Sequence, residues 1–126
     1  MGEKPLIAIV DDDASVCRAM RRLVRSLDME AESFSSGKEF LEQLAALPSF
    51  KPNCVVLDLQ MPDMTGLEVQ QCLAGSGLPV VFITAPDEVG ARERALAGGA
   101  VGYLRKPFND ALFANTVRAA LAMKTN

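Results

Sequence analysis

The 126-residue chain has no histidine, no tryptophan, one tyrosine and only three cysteines. Without an imidazole, histidine-based acid–base catalysis and Cys/His zinc sites are excluded, and Cys17, Cys54 and Cys72 lack the paired spacing of a thiolate metal site. These thiols lie in apolar segments, so they are expected in the core of a protein from a reducing compartment. No apolar run approaches bilayer length: Leu6 to Val10 stops after five residues at three carboxylates, and no signal-peptide pattern precedes it. A cytoplasmic protein with no membrane partner is expected. Basic charge is also sparse. Thirteen Lys and Arg against sixteen Asp and Glu leave a net charge of -3, and the basic residues are scattered among the acids, so direct nucleic acid binding is not expected. What the chain does have is 49% apolar residues with six Phe, enough for one core; a single domain over 1–126 is expected, its core spanning about 6–121.

Leu6 to Val10 is apolar without alternation, the pattern of a strand buried on both faces. Val16, Met20, Leu23 and Leu27 then recur at helical spacing. Glu30 to Phe34 predicts a shorter strand, and Ser36 with Glu39 a capping box for a helix carrying Phe40, Leu41, Leu44 and Leu47 inward, stopped by Pro48 and Pro52. Cys54 to Leu57 predicts the central strand. Thr65 and Gly66 open a third helix bearing Leu67, Val69, Cys72 and Leu73, closed by Gly75-Ser76-Gly77. Val80 to Ile83 predicts a fourth strand ending at Thr84. Asp87 is placed to cap a fourth helix whose apolar face is weak, Val89, Ala91, Ala95 and Leu96 interrupted by Gly90, which makes it the element most prone to shift. Val101 to Leu104 predicts a fifth strand, and after Pro107 a last helix buries Phe113, Val117 and Leu121. Five βα repeats with strands buried on both faces require a parallel sheet between two helical layers.

In such a sheet every strand points its C-terminal end at one rim, where ligands bind. Asp11 and Asp12, Asp58, Thr84 and Lys106 all follow strand ends and should meet there. Clustered carboxylates repel one another unless a cation lies among them, and hard oxygen ligands without His or thiolate suit magnesium. Three carboxylates, one ammonium and a divalent cation sum to zero charge, so a phosphoryl group can approach. Phosphate added to an aspartate would draw Thr84 and Lys106 toward it and disturb the loops leading into the fourth and fifth helices, with Tyr103 able to rotate as Thr84 moves. Asp13 reads as a helix cap and Asp63 as a turn residue beside Pro62.

Taken as an ordered set, Val10-Asp11-Asp12, Leu57-Asp58 with Met61-Pro62-Asp63 and Gly66, Ile83-Thr84-Ala85, and Lys106-Pro107-Phe108 resemble the receiver domain of two-component response regulators. The resemblance runs from Ile7 to about Leu121. It implies a flavodoxin-like, doubly wound (βα)5 fold with sheet order 2-1-3-4-5. It also implies that Asp58 is the phosphoacceptor, that Asp12 and Asp58 are side-chain ligands of Mg2+, that Asp11 reaches the ion mainly through water, and that Gln60 contributes its backbone carbonyl. Thr84 and Lys106 become the phosphate-sensing pair, Tyr103 the switch aromatic, and the Lys106-Pro107 peptide is expected to be cis. The implied partners are a sensor histidine kinase and a second copy in a phosphorylation-dependent homodimer. The segment from Met61 to Gly66 looks most like receivers joined to a helix-turn-helix domain for transcriptional control, an output domain absent from this chain.

Such a domain is no conventional enzyme: it transfers phosphate to itself and dephosphorylates slowly. Gln60 and Pro86, each two residues beyond a site residue, depart from common choices where side chains govern access of the hydrolytic water. They leave open a fold that has lost switching and serves only as an interaction domain. A phosphatase reading of Asp11-Asp12-Asp13-Ala14-Ser15 is opposed by the short chain and the missing cap domain. A flavin reading is opposed by carboxylates where a phosphate loop would have to lie.

Overall fold

The computed structural model describes residues 4–85 and 90–123. Strands β1 (Leu6–Val10), β2 (Glu30–Phe34), β3 (Cys54–Asp58), β4 (Val80–Thr84) and β5 (Gly102–Arg105) alternate with helices α1 (Ala14–Ser26), α2 (Gly37–Ala46), α3 (Gly66–Cys72), α4 (Ala91–Ala97) and α5 (Asp110–Met123). All neighbouring strands pair in parallel, and the sheet order is β2-β1-β3-β4-β5. This is the flavodoxin-like (βα)5 arrangement.

The period of two along each strand splits the core into two layers. Ile7, Ile9, Val56, Val81, Ile83 and Leu104 face α1 and α5, where they meet Met20, Val24, Phe113 and Val117. Ala8, Val10, Val55, Leu57 and Phe82 face the other way, against Phe40 of α2, Val69 of α3 and Ala91 and Ala95 of α4. Strands β3 and β4 are buried at every position, which is why their sequences are apolar without a break. Each fully buried Phe or Ile contributes about 1.5–3 kcal/mol relative to exposure.

Several sequence expectations need correction. On α1 the fully buried line is Cys17, Met20 and Val24, while Val16, Leu23 and Leu27 flank it partly buried. Ser36 caps α2 by accepting from the Glu39 N–H, but the Glu39 carboxylate accepts from the N–H and hydroxyl of Ser35, one residue before the cap, so the reciprocal box is incomplete. Leu47 does not point inward: it is the C-cap of α2 and 48% exposed. Cys72 lies in the last turn of α3 and is exposed, unlike Cys17 and Cys54. Leu96 is exposed, and β5 begins one residue later than expected, at Gly102. The proposed cap Asp87, with Pro86 and Val89, lies outside the described residues; the described α4 starts at Ala91 with Gly90 at its N-cap. The basic residues are also less evenly spread than composition suggests, because α1 carries Arg18, Arg21, Arg22 and Arg25 and no acid.

Candidate functional site at the strand ends

Asp11 follows Ile7 and Ile9 at the same parity, and Asp58 follows Val56, so both carboxylates leave the sheet on the side that holds α1 and α5. Lys106 follows Leu104 in the same sense. The alternation therefore delivers two carboxylates and an ammonium to one spot: Lys106 Nζ lies 3.4 Å from Asp11 Oδ2 and 3.8 Å from Asp58 Oδ1. Asp12 joins them, and one carboxylate oxygen from each of Asp11, Asp12 and Asp58 lies within 4.8 Å of the other two. The Lys106-Pro107 peptide is cis.

Thr84 reaches the same rim, but its parity is that of Phe82, on the α3 and α4 side. It is fully buried, and its hydroxyl donates to the Ala85 carbonyl at 3.4 Å, a long and weak contact. Its own carbonyl accepts from the Lys106 N–H at 2.8 Å, which ties the two strand ends together. Tyr103 pairs with Phe82 in register and packs half-buried against the same layer.

The local scaffold is specific. Asp13 caps α1 by accepting from the N–H groups of Ser15 and Val16 and from the Ser15 hydroxyl, the role its position suggests. These bonds, led by the hydroxyl, hold its carboxyl below the usual range. Thr65 and Glu68 form a full capping box at the start of α3. The next residue has to be glycine: a Cβ on Gly66 would stand 2.5 Å from the Asp58 carbonyl oxygen and 3.0 Å from Leu59 Cα, so any side chain would push α3 off the strand end that carries Asp58. Asp63 sits at φ 68, the left-handed turn position that aspartate tolerates.

Burial dominates the electrostatics. Asp58 is 5% exposed, and its carboxyl is pushed up to about 7 by desolvation first and by the Asp11 charge second, with Lys106 and the Gln60 backbone N–H pulling part of the way back. Asp11, 1% exposed, is raised for the same leading reason, although it accepts from the Asp13 N–H at 2.9 Å and from Lys106. One lysine does not neutralise three carboxylates. A close set of hard oxygen donors held at this cost in charge suits a small divalent cation, and the chemistry of the donor set fits Mg2+.

Gln60, expected to contribute its carbonyl, also donates its backbone N–H to Asp58. One contributor escaped sequence reasoning: the Cys17 thiol donates to the Asp11 carbonyl at 3.2 Å. The position of Cys17, at the start of the buried line of α1, was the available clue.

A family model described as response regulator receiver domain matches residues 7–118. The chain belongs to that family. The receiver is similar to a response regulator receiver protein from Burkholderia phymatum of known crystal structure, 59% identical over 94% of this chain and 96% of that one, with a TM-score of 0.89. It is 35% identical to the response regulator protein TmoT of Ectopseudomonas mendocina, covering 96% of this chain and 54% of TmoT. It is also 36% identical to the response regulator protein TodT of Pseudomonas putida, covering 94% and 52% respectively. The chain thus spans about half the length of the curated relatives it matches. It is a phosphoacceptor receiver domain whose three-carboxylate cluster is positioned to chelate a divalent cation. Among the described residues no helix is long and apolar enough to cross a membrane.

Proposed function

We propose that Asp58 accepts a phosphoryl group from a phosphohistidine on a sensor histidine kinase, and that the receiver uses this event to switch a partner or an output domain, with transcriptional control as the outcome in the full-length protein. The observation that carries the reading is the Lys106 ammonium held between Asp11 and Asp58 in a three-carboxylate cluster at the strand ends. An Asp58 carboxylate oxygen attacks phosphorus; a P–O bond forms as the P–N bond to the donor imidazole breaks, and the departing imidazole nitrogen takes up a proton. Asp12 and Asp58 would hold Mg2+ by their side chains, Gln60 by its carbonyl and Asp11 mainly through water. That ion, when bound, supplies charge to offset the phosphoryl oxygens.

Lys106, already oriented by Asp11, exchanges its contact with Asp58 for one with a phosphoryl oxygen. The Thr84 hydroxyl, weakly held at 3.4 Å, turns to donate to another oxygen, and Tyr103 follows by moving inward on the same layer. Residues 1–126 act as one receiver domain that transfers phosphate to itself and loses it slowly, at a rate to which Gln60 contributes beside the acceptor. A cytoplasmic setting and phosphorylation-dependent pairing of two copies complete the reading.

The test is incorporation of phosphate from acetyl phosphate, or from a cognate kinase, followed by mass. Addition of about one phosphoryl group that needs Mg2+ and disappears in Asp58→Ala is expected. No incorporation from either donor, or undiminished incorporation in the variant, would overturn the assignment.

A further inference from the structure

Gln70 is the one amide side chain buried within the protein among the described residues, 6% exposed on α3. Its Nε2 donates across to the carbonyl of Ala95 in α4 at 3.1 Å. That carbonyl also accepts from the Ala100 N–H at 3.0 Å, while the Gly99 N–H bonds Leu96 O at 3.0 Å and Gly99 adopts φ 98. This is a Schellman ending, and Gln70 adds to it a further donor supplied by a different helix. A donor at this place also meets the negative end of the α4 dipole.

Among the described residues α4 is short and buries little. It has seven residues, its buried side chains are only Ala91 and Ala95, Leu96 faces solvent, and its N-cap Gly90 provides no side-chain bond. The contact at its other end fills the space beside Gly98: a Cβ there would stand 2.4 Å from Gln70 Oε1 and 2.8 Å from its Cδ, so a side chain at 98 would displace the amide.

We propose that Gln70 is a positioning residue that clamps the C-terminal turn of α4 to α3, and that this clamp opposes the displacement of α4 when Asp58 is phosphorylated. The coupling rests on the reading of Asp58 as the phosphoacceptor. Drawing the Thr84 hydroxyl toward an acyl phosphate pulls on the end of β4, and the next described helix along the chain is α4. A seven-residue helix whose buried side chains are two alanines yields more readily when that bond is broken. Removing the donor therefore makes the shifted state easier to reach by about five-fold, the factor that one neutral hydrogen bond is worth.

The experiment compares Gln70→Met, which keeps length and volume but has no donor, with Gln70→Glu, which sets carboxylate oxygens against the Ala95 carbonyl. Gly98→Ala is made alone and in a Gln70→Ala background. Amide hydrogen exchange is followed in the free protein, and affinity for beryllofluoride with Mg2+, an acyl phosphate mimic, is measured in each. For Gln70→Met, exchange over residues 91–100 speeds up about five-fold, exchange in β1 and β3 is unchanged, and beryllofluoride binds about five-fold tighter. Gln70→Glu moves both readouts further in the same direction. Gly98→Ala reproduces Gln70→Met in the wild-type background and has no effect in the Gln70→Ala background, where the clash is gone.

Exchange that accelerates evenly across sheet and helices, unchanged beryllofluoride affinity, or a Gly98→Ala effect that persists without Gln70 would overturn the proposal. Failure of the wild-type protein to bind beryllofluoride would instead remove the phosphoacceptor reading and the coupling with it, while exchange in the free protein still decides whether the clamp exists.

Discussion

Replacing Asp58 with asparagine should make the receiver more stable when divalent cations are absent. The folded protein raises this carboxyl from 3.8 to about 7, chiefly by burial and then by the Asp11 charge. A group whose pKa is raised by folding keeps its proton longer in the folded state than in the unfolded chain. Unfolding then releases a proton between pH 3.8 and about 7, so stability from this group is full below pH 3.8 and falls as pH climbs through that window. At 1.36 kcal/mol per unit, the ionised carboxylate costs about 4 kcal/mol above pH 7, and reorganisation of water and dipoles at a rim site brings the expected gain of Asp58→Asn to about 2–3 kcal/mol. Asparagine keeps the size of the protonated acid and removes the charge.

Urea unfolding in a chelator would measure it. The gain of Asp58→Asn over wild type should be largest at pH 8, fall to less than half of that at pH 5, and approach zero near pH 4. Adding Mg2+ should reverse the order, because a ligand that binds only the folded state at one hundred times its Kd stabilises by about 2.7 kcal/mol, and Asp58→Asn has given up a ligand. A variant less stable than wild type at pH 8 in chelator, or a gain equal at pH 5 and pH 8, would refute the argument that this carboxylate is held in electrostatic strain.

Asp13→Ala should lower the urea midpoint through loss of the α1 cap, with Mg2+ affinity within about two-fold of wild type; a larger loss of Mg2+ would make Asp13 a ligand. Lys106→Met should leave Mg2+ affinity unchanged or raise it, since it removes a cation from a crowded site, yet weaken beryllofluoride binding by about ten-fold or more; calorimetry of both ligands separates the two effects. In the native protein a maleimide should label Cys72 within minutes, while Cys17 and Cys54 react only on unfolding, as resolved by peptide mass.

The layers of this fold were legible because unbroken apolar runs mark strands covered on both sides, and β1, β2 and β4 fall on the residues their composition indicates. The rim cluster was legible for the same reason, since strand ends in a parallel sheet are collinear and polar residues just past them have one place to go. Side-chain direction at the helix ends was less so. Leu47 falls past the last residue of α2, where a 3.6-residue period no longer says which way a side chain points, and Cys72 lies on α3 beside the line from Val69 to Leu73 that stays buried. The basic face of α1 was hidden for a related reason, because composition counts charges along the whole chain while a helix collects them on one surface.

The parity of the strands carries the separation one step further than the sequence could. Asp11, Asp58 and Lys106 share the α1 and α5 side, whereas Thr84 and Tyr103 belong to the layer of α3 and α4. The charged centre and the hydroxyl that would respond to it thus stand on opposite faces of one sheet, joined by the Lys106 N–H to Thr84 carbonyl bond at 2.8 Å. A charge change on the first face reaches the second through the Thr84 hydroxyl and through this link between the ends of β4 and β5. The layer it reaches contains the helix with the fewest buried side chains outside its alanines, and there an amide from α3 bonds that helix's C-terminal turn.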